Sequence, residues 1–476
     1  MRIIDETPLH GAMRCWIYNF LVIPKLSWHF TIANLSLSFV KEDLHSLILP
    51  FLKSWCGIPK GGNSAILFCG PPMCMGLALK PIYTVYKACQ VVRRSILQRS
   101  RDPTARLVFE LELAKQSGWI GPRFAAAREV SMVQAFGSRV ETFSNHHGLG
   151  YSSPLRVPIS RTSAYHYFHS IDSGELLSHA DSLVMQGKIR LLDTCSLGDW
   201  SWNRLLHGYP EGFFRFKVNA TNNSLATGDN LLRWSSERLR IKCAGCGNPC
   251  PTLKHMLTGC ATFLFQGRYK WRHDEVLKII FTRLSAFLVS LPSNLDSTSI
   301  PYIRFVKEGE GNSFRRSARF PREPEARKPL ASGILGGSSD WVIMCDGVTE
   351  SYSIPHHVAI TTFRPDIFLV SEQSRTCVLV ELTVPFEDRI LASAEYKSRK
   401  YQSLKHEICS NGYRCELFTV EIGCRGNYSA SLRTCLLKLG FSKRSASSVC
   451  RVAAATALRC SYYIYLKRSS PVWLSI

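Results

Sequence analysis

Three cysteines and one histidine have the spacing of a small zinc site, Cys243-x2-Cys246-x8-His255-x4-Cys260. Zn²⁺ takes four sulfur or nitrogen ligands in a tetrahedron, and a Cys-x2-Cys turn supplies two of them. Four protein ligands leave no open coordination position, so the spacing predicts a structural zinc ion rather than a hydrolytic one. Two alternatives stay open at this point: Cys250 could replace one ligand, or a cysteine-rich chain could contain the Cys-x2-Cys pair by chance.

Two carboxylates and a lysine form a second candidate site. Asp366 precedes the apolar run 367–370, and after a polar turn Glu381 lies in a second apolar run, a pattern that predicts a β-hairpin. One long helix is predicted next, and Lys397 falls near the centre of its apolar face. An ammonium group that faces a sheet is costly unless it is paired, and the nearest candidate partners are these carboxylates.

This combination suits metal-dependent cleavage of phosphodiesters. Asp366 and Glu381 would hold Mg²⁺ or Mn²⁺ through their oxygens, and Lys397 would position the attacking water or neutralise charge on the phosphate. Alternatively, Lys397 could extend past the sheet edge into water, as long cationic side chains often do. Lys400, beside the apolar face, is the alternative lysine, and Asp346 is a possible third carboxylate.

Basic and aromatic residues alternate in the segment 268–274, which follows the zinc pattern. Cations next to stacking rings suit contacts with nucleic acid, although the same residues could simply begin an amphipathic helix. The candidate nucleic-acid contacts here are Arg268, Lys270, Trp271, Arg272 and His273.

The surrounding sequence predicts a multidomain α + α/β protein. The predicted segments are a helical region at 1–115, a helical linker domain at 116–225, a zinc knuckle with its following helix at 226–300, a basic flexible linker at 301–337, a mixed α/β domain at 338–440 and a C-terminal helix and tail at 441–476.

Composition limits the possible functions. The 476 residues include 59 Lys and Arg against 36 Asp and Glu, a net charge of +23 that favours an anionic partner such as nucleic acid. No apolar run reaches the roughly 18 residues of a membrane span, so no membrane partner is expected. The 18 cysteines, without a secretory leader, indicate reduced thiols in the cytoplasm or nucleus. No P-loop, H-E-x-x-H or G-x-S-x-G motif occurs.

Taken together, these motifs resemble the C-terminal half of site-specific non-LTR retrotransposon polyproteins that carry a restriction-like endonuclease. The zinc pattern is joined by Arg272-His273-Asp274, Arg364-Pro365-Asp366-x14-Glu381 and Lys397-x2-Lys400-Tyr401. Upstream, the segment 55–60 resembles the end of the reverse transcriptase thumb, and the segment 230–234 resembles the stretch before the family's knuckle.

The resemblance implies a PD-(D/E)XK nuclease domain, with a mixed sheet flanked by helices. It implies that Asp366 and Glu381 are the metal ligands and Lys397 the catalytic lysine. Arg364, Lys400 and Tyr401 become further nucleic-acid contacts, and residues 1–115 become thumb-like. The implied partners are target DNA and element RNA rather than a small molecule, and the implied location is the nucleus after synthesis in the cytoplasm.

Two departures from the family refine this expectation. The strand reads Glu381-Leu382-Thr383, so the lysine usual at the third place is absent, and the family's displaced helical lysine accounts for it. No Tyr-x-Asp-Asp motif occurs, so reverse transcriptase activity is expected only in the full-length parent polyprotein. The expected function is nicking of target DNA to prime reverse transcription. The alternative is a non-catalytic, zinc-stabilised DNA- or RNA-binding protein from a decayed or domesticated element.

Overall fold

The computed structural model describes most of the chain. The described residues are 1–33, 35–70, 75–115, 142–145, 148–151, 160–183, 195–196, 199–234, 241–291, 333–347 and 352–473. The chain divides into two compact units: Met1–Asp193 with Asp199–Ile241, and Thr194–Gly198 with Lys242–Ile476. Among the described helices, none has both the length and the apolar character that a membrane span requires.

The first unit is mainly helical, as predicted for residues 1–115. Its α-helices are α1 (Arg2–Asp5), α2 (Gly11–Ile17), α3 (Ile23–Ile32), α4 (His45–Trp55), α5 (Ala65–Phe68), α6 (Ile82–Arg99), α7 (Pro103–Lys115), α8 (Arg161–Ser182), α9 (Trp202–His207), α10 (Glu211–Thr221) and α11 (Gly228–Trp234). Strands β1 (Thr142–Asn145) and β2 (Gly148–Tyr151) pair antiparallel. Of the predicted linker domain at 116–225, the stretches 116–141, 146–147, 152–159, 184–194 and 197–198 lie outside the described residues.

A buried ion pair joins two helices of the first unit. The ammonium of Lys87 on α6 lies 2.6 Å from Asp172 Oδ1 on α8, and both side chains are almost fully buried. The Thr84 hydroxyl donates to the other carboxylate oxygen of Asp172 at 2.6 Å. Because a buried charge is tolerated only when it is paired and hydrogen-bonded, this group holds α6 and α8 in a fixed relation.

The second unit contains a four-stranded mixed sheet flanked by helices, as the α + α/β prediction requires. Its strands are β4 (Val342–Cys345), β5 (Ile367–Ser371), β6 (Thr376–Thr383) and β7 (Arg414–Glu421), in that spatial order. The first two pairings are antiparallel and the third is parallel. The predicted hairpin is confirmed, because Ile367 on β5 lies opposite Val380 on β6. A short pair, β3 (Cys195–Ser196) with β8 (Tyr428–Ser429), completes the described strands.

Helices cover both faces of this sheet. The remaining α-helices are α12 (Ala261–Phe265), α13 (Arg268–Val289), α14 (Ile390–Lys400), α15 (Gln402–Ser410), α16 (Ala430–Leu439) and α17 (Lys443–Leu466). On β6, Val378 and Val380 join a core with residues of α13, α16 and α17. Cys377 and Leu379 point the other way, into a core with residues of α15. Successive side chains of β6 therefore point alternately into two different cores.

The helix after the hairpin differs from the prediction. The single long helix that the apolar periodicity predicts is wrong, because the chain breaks at Tyr401 (φ −97°, ψ 4°) between α14 and α15. Ile390, Tyr401, Leu404 and Ile408 are nevertheless buried, so the predicted apolar face survives the break.

The segments predicted to flank the α/β domain contribute to its core. Of the predicted basic linker at 301–337, residues 301–332 lie outside the described residues, whereas Leu335, in the helical turn Ile334–Gly337, is buried in the core. A side chain at Gly333 would meet the backbone of Gly440 at 2.5 Å, so this turn approaches the end of α16 closely. Residues of α17, in the predicted C-terminal segment 441–476, pack into the same core.

Candidate functional site

The four residues of the zinc pattern converge in the second unit. The ligand atoms of Cys243, Cys246, His255 and Cys260 all lie within 4.8 Å of one another. Cys243 Sγ is 3.8 Å from Cys260 Sγ, which matches the spacing of about 3.8 Å that two thiolates adopt at roughly 2.3 Å from a tetrahedral zinc ion. Cys246 Sγ is 3.3 Å from His255 Nε2. The donor set and its spacing therefore fit a structural zinc ion.

A tight turn brings the first two cysteines together. The backbone N–H of Cys243 donates to Asn248 O at 2.8 Å, and the N–H of Gly247 donates back to Cys243 O at 2.8 Å. Gly247 has φ +73°, a conformation in which a side chain would be strained. Cys250, the alternative ligand, does not belong to the group of converging residues.

Tyr269 on α13 holds the second half of the cysteine–histidine cluster. Its hydroxyl accepts the backbone N–H of Cys260 at 3.1 Å, and Met256 O lies 3.0 Å away as its acceptor. Burial opposes ionisation of the Cys243 thiol, but hydrogen bonds, including those from the backbone of Cys246 and Gly245, lower its pKa overall. Burial raises the pKa of the Cys260 thiol to about 11. Tyr269 was not among the sequence candidates, and its role depends on a fold that the spacing alone does not reveal.

The hairpin brings Asp366 and Glu381 into contact. Asp366 immediately precedes β5 and Glu381 lies on β6, so antiparallel pairing sets them opposite each other. The N–H of Leu382 donates to Asp366 Oδ2 at 2.7 Å, and the N–H of Asp366 donates to Glu381 Oε2 at 3.2 Å. Asp346, the possible third carboxylate, is tied to this edge because its N–H donates to Asp366 O at 3.0 Å.

Lys397 reaches this carboxylate pair from α14. Its ammonium group forms an ion pair with Glu381 Oε1. The Glu381 side chain is only 2% exposed, whereas that of Lys397 is 23% exposed, so the lysine lies between the buried carboxylate and solvent. Burial and the charge of Asp366 raise the pKa of Glu381, and Lys397 opposes that rise.

A buried loop fixes where α14 begins. The Glu387 carboxylate accepts the Arg425 backbone N–H at 2.7 Å, Arg425 Nε at 2.6 Å and Asn427 Nδ2 at 3.1 Å. Because Glu387 lies between β6 and α14, these bonds anchor the connection that carries Lys397 back over the sheet.

Lys400 lies beside the site, whereas the Tyr401 phenol interacts with Glu381 itself. Lys400 is exposed, and its ammonium group is 3.3 Å from the Tyr401 hydroxyl. The Tyr401 hydroxyl donates to Arg364 O at 3.1 Å, and burial raises the pKa of this phenol. Arg364 is exposed. The structure thus brings Lys397, and not Lys400, to Glu381.

His273 joins the carboxylate site instead of an open surface. Its Nε2 is 3.3 Å from Asp366 Oδ2, and its Nδ1 is 3.1 Å from Asp274 Oδ1. Burial opposes protonation, but hydrogen bonds to Asp274 and Asp366 raise the pKa of His273 to about 9. Asp274, which the sequence marks only as the last residue of Arg272-His273-Asp274, is therefore an indirect partner of Asp366.

Arg268 and Arg272 correct the predicted nucleic-acid segment. Arg268 is fully buried and donates to Lys467 O and Ser470 O at 2.8 Å each. Arg272 is 2% exposed and donates to Leu257 O at 3.0 Å and Val384 O at 3.2 Å. Both guanidinium groups are internal and most of their donors bond acceptors within the protein, so the structure does not present these two predicted nucleic-acid contacts to a partner.

The other two members of that segment are placed differently. The ring of Trp271 packs against Tyr463 and Trp473, with centroid separations of 5.6 and 5.3 Å. The Lys270 side chain is 72% exposed and pairs with Asp274 at 2.7 Å. Of the five candidates, Lys270 has the most accessible cation.

The carboxylate pair also fits a hard divalent cation. His273 and the Leu382 N–H both bond Asp366 Oδ2, and among the described residues Asp366 Oδ1 has no hydrogen-bond partner. Glu381 Oε2 accepts the Asp366 N–H. Carboxylate oxygens of this kind are the ligands that Mg²⁺ prefers.

Comparison with known proteins adds no assignment. No protein-family model matches the chain, and no curated protein shows significant sequence similarity to it.

Proposed function

We propose that the unit containing Lys242–Ile476 is a metal-dependent DNA endonuclease with a structural zinc ion, of the restriction-like kind that non-LTR retrotransposon polyproteins carry. The observation that supports this most is the convergence of Asp366, Glu381 and Lys397 at one sheet–helix junction. The proposed substrate is target DNA, and the proposed product is a nick whose 3′ hydroxyl primes reverse transcription of element RNA.

Each residue of the site has a separate task. Asp366 Oδ1 and Glu381 Oε2 would hold Mg²⁺ or Mn²⁺, which supplies Lewis-acid stabilisation of the phosphate oxygens when bound. Lys397 keeps an ammonium group beside the buried Glu381 and open to solvent, where negative charge on the reacting phosphate can be neutralised. His273 fixes the orientation of Asp366 through its second carboxylate oxygen.

The test is nicking of supercoiled plasmid in Mg²⁺ or Mn²⁺. We expect Asp366→Asn, Glu381→Gln and Lys397→Gln each to lower the nicking rate about 100-fold or more, as loss of a charge-stabilising group does in other enzymes. Lys400→Gln is the matched comparison, because it removes a cation from the same helix that does not pair with Glu381, and a smaller loss there assigns the larger loss to Lys397. Thermal unfolding of each variant separates loss of activity from loss of fold.

Two results would overturn this assignment. One is wild-type nicking that persists unchanged in Asp366→Asn and Glu381→Gln. The other is tight, salt-dependent binding of DNA or RNA without any metal-dependent cleavage, which would support the non-catalytic binding protein instead.

A further inference from the structure

An open depression of about 260 Å³ lies directly beside the carboxylate–lysine site. It is lined by Thr383, Arg389, Ala392, Ser393, Tyr396 and Lys397. Lys397 belongs to both features, since its ammonium group pairs with Glu381 while its side chain also lines the depression. Anything bound here would therefore lie next to the phosphate that the proposed site cleaves.

The lining has the charge and the donors that an anion requires. Arg389 and Lys397 are cationic, and no acidic residue lines the depression. Arg389 is exposed, and within the described residues its guanidinium has no acidic or hydrogen-bonding partner. Ser393 is half-buried, and its hydroxyl likewise has no partner in those parts of the chain. Unused donors on a guanidinium and a hydroxyl suit the oxygens of a phosphate.

The apolar part of the lining suits the rest of a nucleotide. The Tyr396 ring is 67% exposed, and Ala392 is exposed on the same helix. An exposed aromatic ring beside a cation provides a stacking surface for a base of any sequence. An isolated inorganic anion would leave this ring unused, so the combined lining favours a nucleic-acid strand.

The helix sets the distance from the reacting phosphate. Ser393 lies four residues from Lys397 on α14, which is about 6 Å along the helix axis. A strand of duplex DNA rises about 3.4 Å per nucleotide, so this distance corresponds to one or two nucleotides.

We infer that this depression is a subsite for the DNA strand being nicked. Arg389 and Ser393 hold a backbone phosphate one or two nucleotides from the scissile phosphate, and Tyr396 supports the attached nucleotide. The inference rests on the proposed endonuclease function and names the part of the substrate that this surface recognises.

The first experiment combines a variant with single neutral phosphates. Arg389→Gln is compared with Arg399→Gln, a control on helix α14, which Arg389 immediately precedes; the Arg399 guanidinium is 84% exposed and lies 3.7 Å from Glu395. The substrates are duplexes with a mapped nick, each carrying one methylphosphonate within two nucleotides of it. We expect one methylphosphonate to lower kcat/KM about tenfold in the wild-type protein and in Arg399→Gln, and to cause no further loss in Arg389→Gln. The subsite would be overturned if, at each position, the methylphosphonate lowered kcat/KM of Arg389→Gln by the same factor as that of the wild-type protein.

The second experiment does not depend on cleavage. Duplex binding is measured against salt concentration with Ca²⁺ in place of Mg²⁺. We expect Arg389→Gln to reduce the slope of log K against log salt by about 1, the effect of losing one phosphate contact. If the wild-type protein does not nick, the proposed function fails, and the slope then tests only whether Arg389 contacts a backbone phosphate. A slope equal to that of Arg399→Gln would overturn the subsite.

Discussion

Glu381 shows why a single lysine matters at this site. A carboxylate with 2% of its side chain exposed has lost most of its hydration, and Asp366 adds a second negative charge beside it. Both effects favour the protonated acid, which is a poor metal ligand. Lys397 opposes them, so in the proposed nuclease it would keep the carboxylate available to a cation.

His273 gives a prediction about metal affinity. His273→Ala removes the partner of Asp366 Oδ2 and leaves the carboxylate held by one backbone N–H. We expect the Mg²⁺ concentration for half-maximal nicking to rise about tenfold, the usual effect of losing an outer partner of a metal ligand. His357→Ala, which removes an exposed histidine paired with Glu372, is the control. An unchanged Mg²⁺ requirement would contradict the positioning role.

Tyr269 gives the corresponding prediction for zinc. Tyr269→Phe keeps the ring but removes the hydroxyl that bonds Cys260 N and Met256 O. We expect zinc affinity to fall about tenfold, because the turn that presents Cys260 loses its anchor. Competition with a chelator of known affinity measures the change. Tyr396→Phe, whose hydroxyl bonds no described residue, should bind zinc like the wild-type protein.

At the scale of helices and strands, local periodicity predicts only those features that depend on neighbouring residues. The hairpin and the apolar face with Lys397 at its centre follow from repeats of two and of about 3.6 residues. The break at Tyr401 does not follow from them; at this residue the hydroxyl bonds Arg364 O, which is not a local neighbour in the sequence. The sequence pattern also does not predict the burial of Arg268, because the carbonyl groups that accept its hydrogen bonds lie about 200 residues further along the chain.

Helix α10 contains a lysine whose burial predicts a pH effect on stability. Lys217 is 2% exposed, with its ammonium group 4.5 Å from the Trp200 ring centroid. Burial lowers its pKa to about 8, Asp199 opposes that shift, and Arg204 adds to it. In the unfolded chain a lysine titrates near 10.4, so between about pH 8 and pH 10 the unfolded state binds more protons than the folded state. The free energy of unfolding should therefore rise with pH across this window.

The measurement is urea unfolding at pH 8 and pH 10. We expect a larger gain in stability for the wild-type protein than for Lys217→Met, which cannot titrate at this position. Equal gains in the two proteins would show that Lys217 keeps its charge when buried.

At the scale of the whole molecule, the net charge of +23 predicts an anionic partner, but most of the cations in segment 268–273 are not offered to one. Two of that segment's cations are internal, and the exposed Lys270 pairs with Asp274. Arg389 was not a sequence candidate, because a single arginine before a helix gives no signal until the fold sets it beside Lys397. Composition predicted an anionic partner, but only the fold indicates where such a partner would bind.

The zinc site gives the prediction at the largest scale, because it is bonded into the second unit at several points. Arg272 joins Leu257 O, near the cysteine–histidine cluster, to Val384 O just after β6. The Lys254 ammonium group lies 2.6 Å from the Asp388 carboxylate just before α14. Zinc removal should therefore loosen the connection that carries Lys397, as well as the cysteine turn itself. We expect Cys246→Ser, or a chelator, to lower the unfolding temperature of the second unit and to reduce nicking, and added zinc but not magnesium to reverse the chelator's effect. Cys250→Ser is the matched control, since Cys250 lies outside the four converging residues. Full thermal stability in Cys246→Ser would mean that internal hydrogen bonds hold this region without the ion.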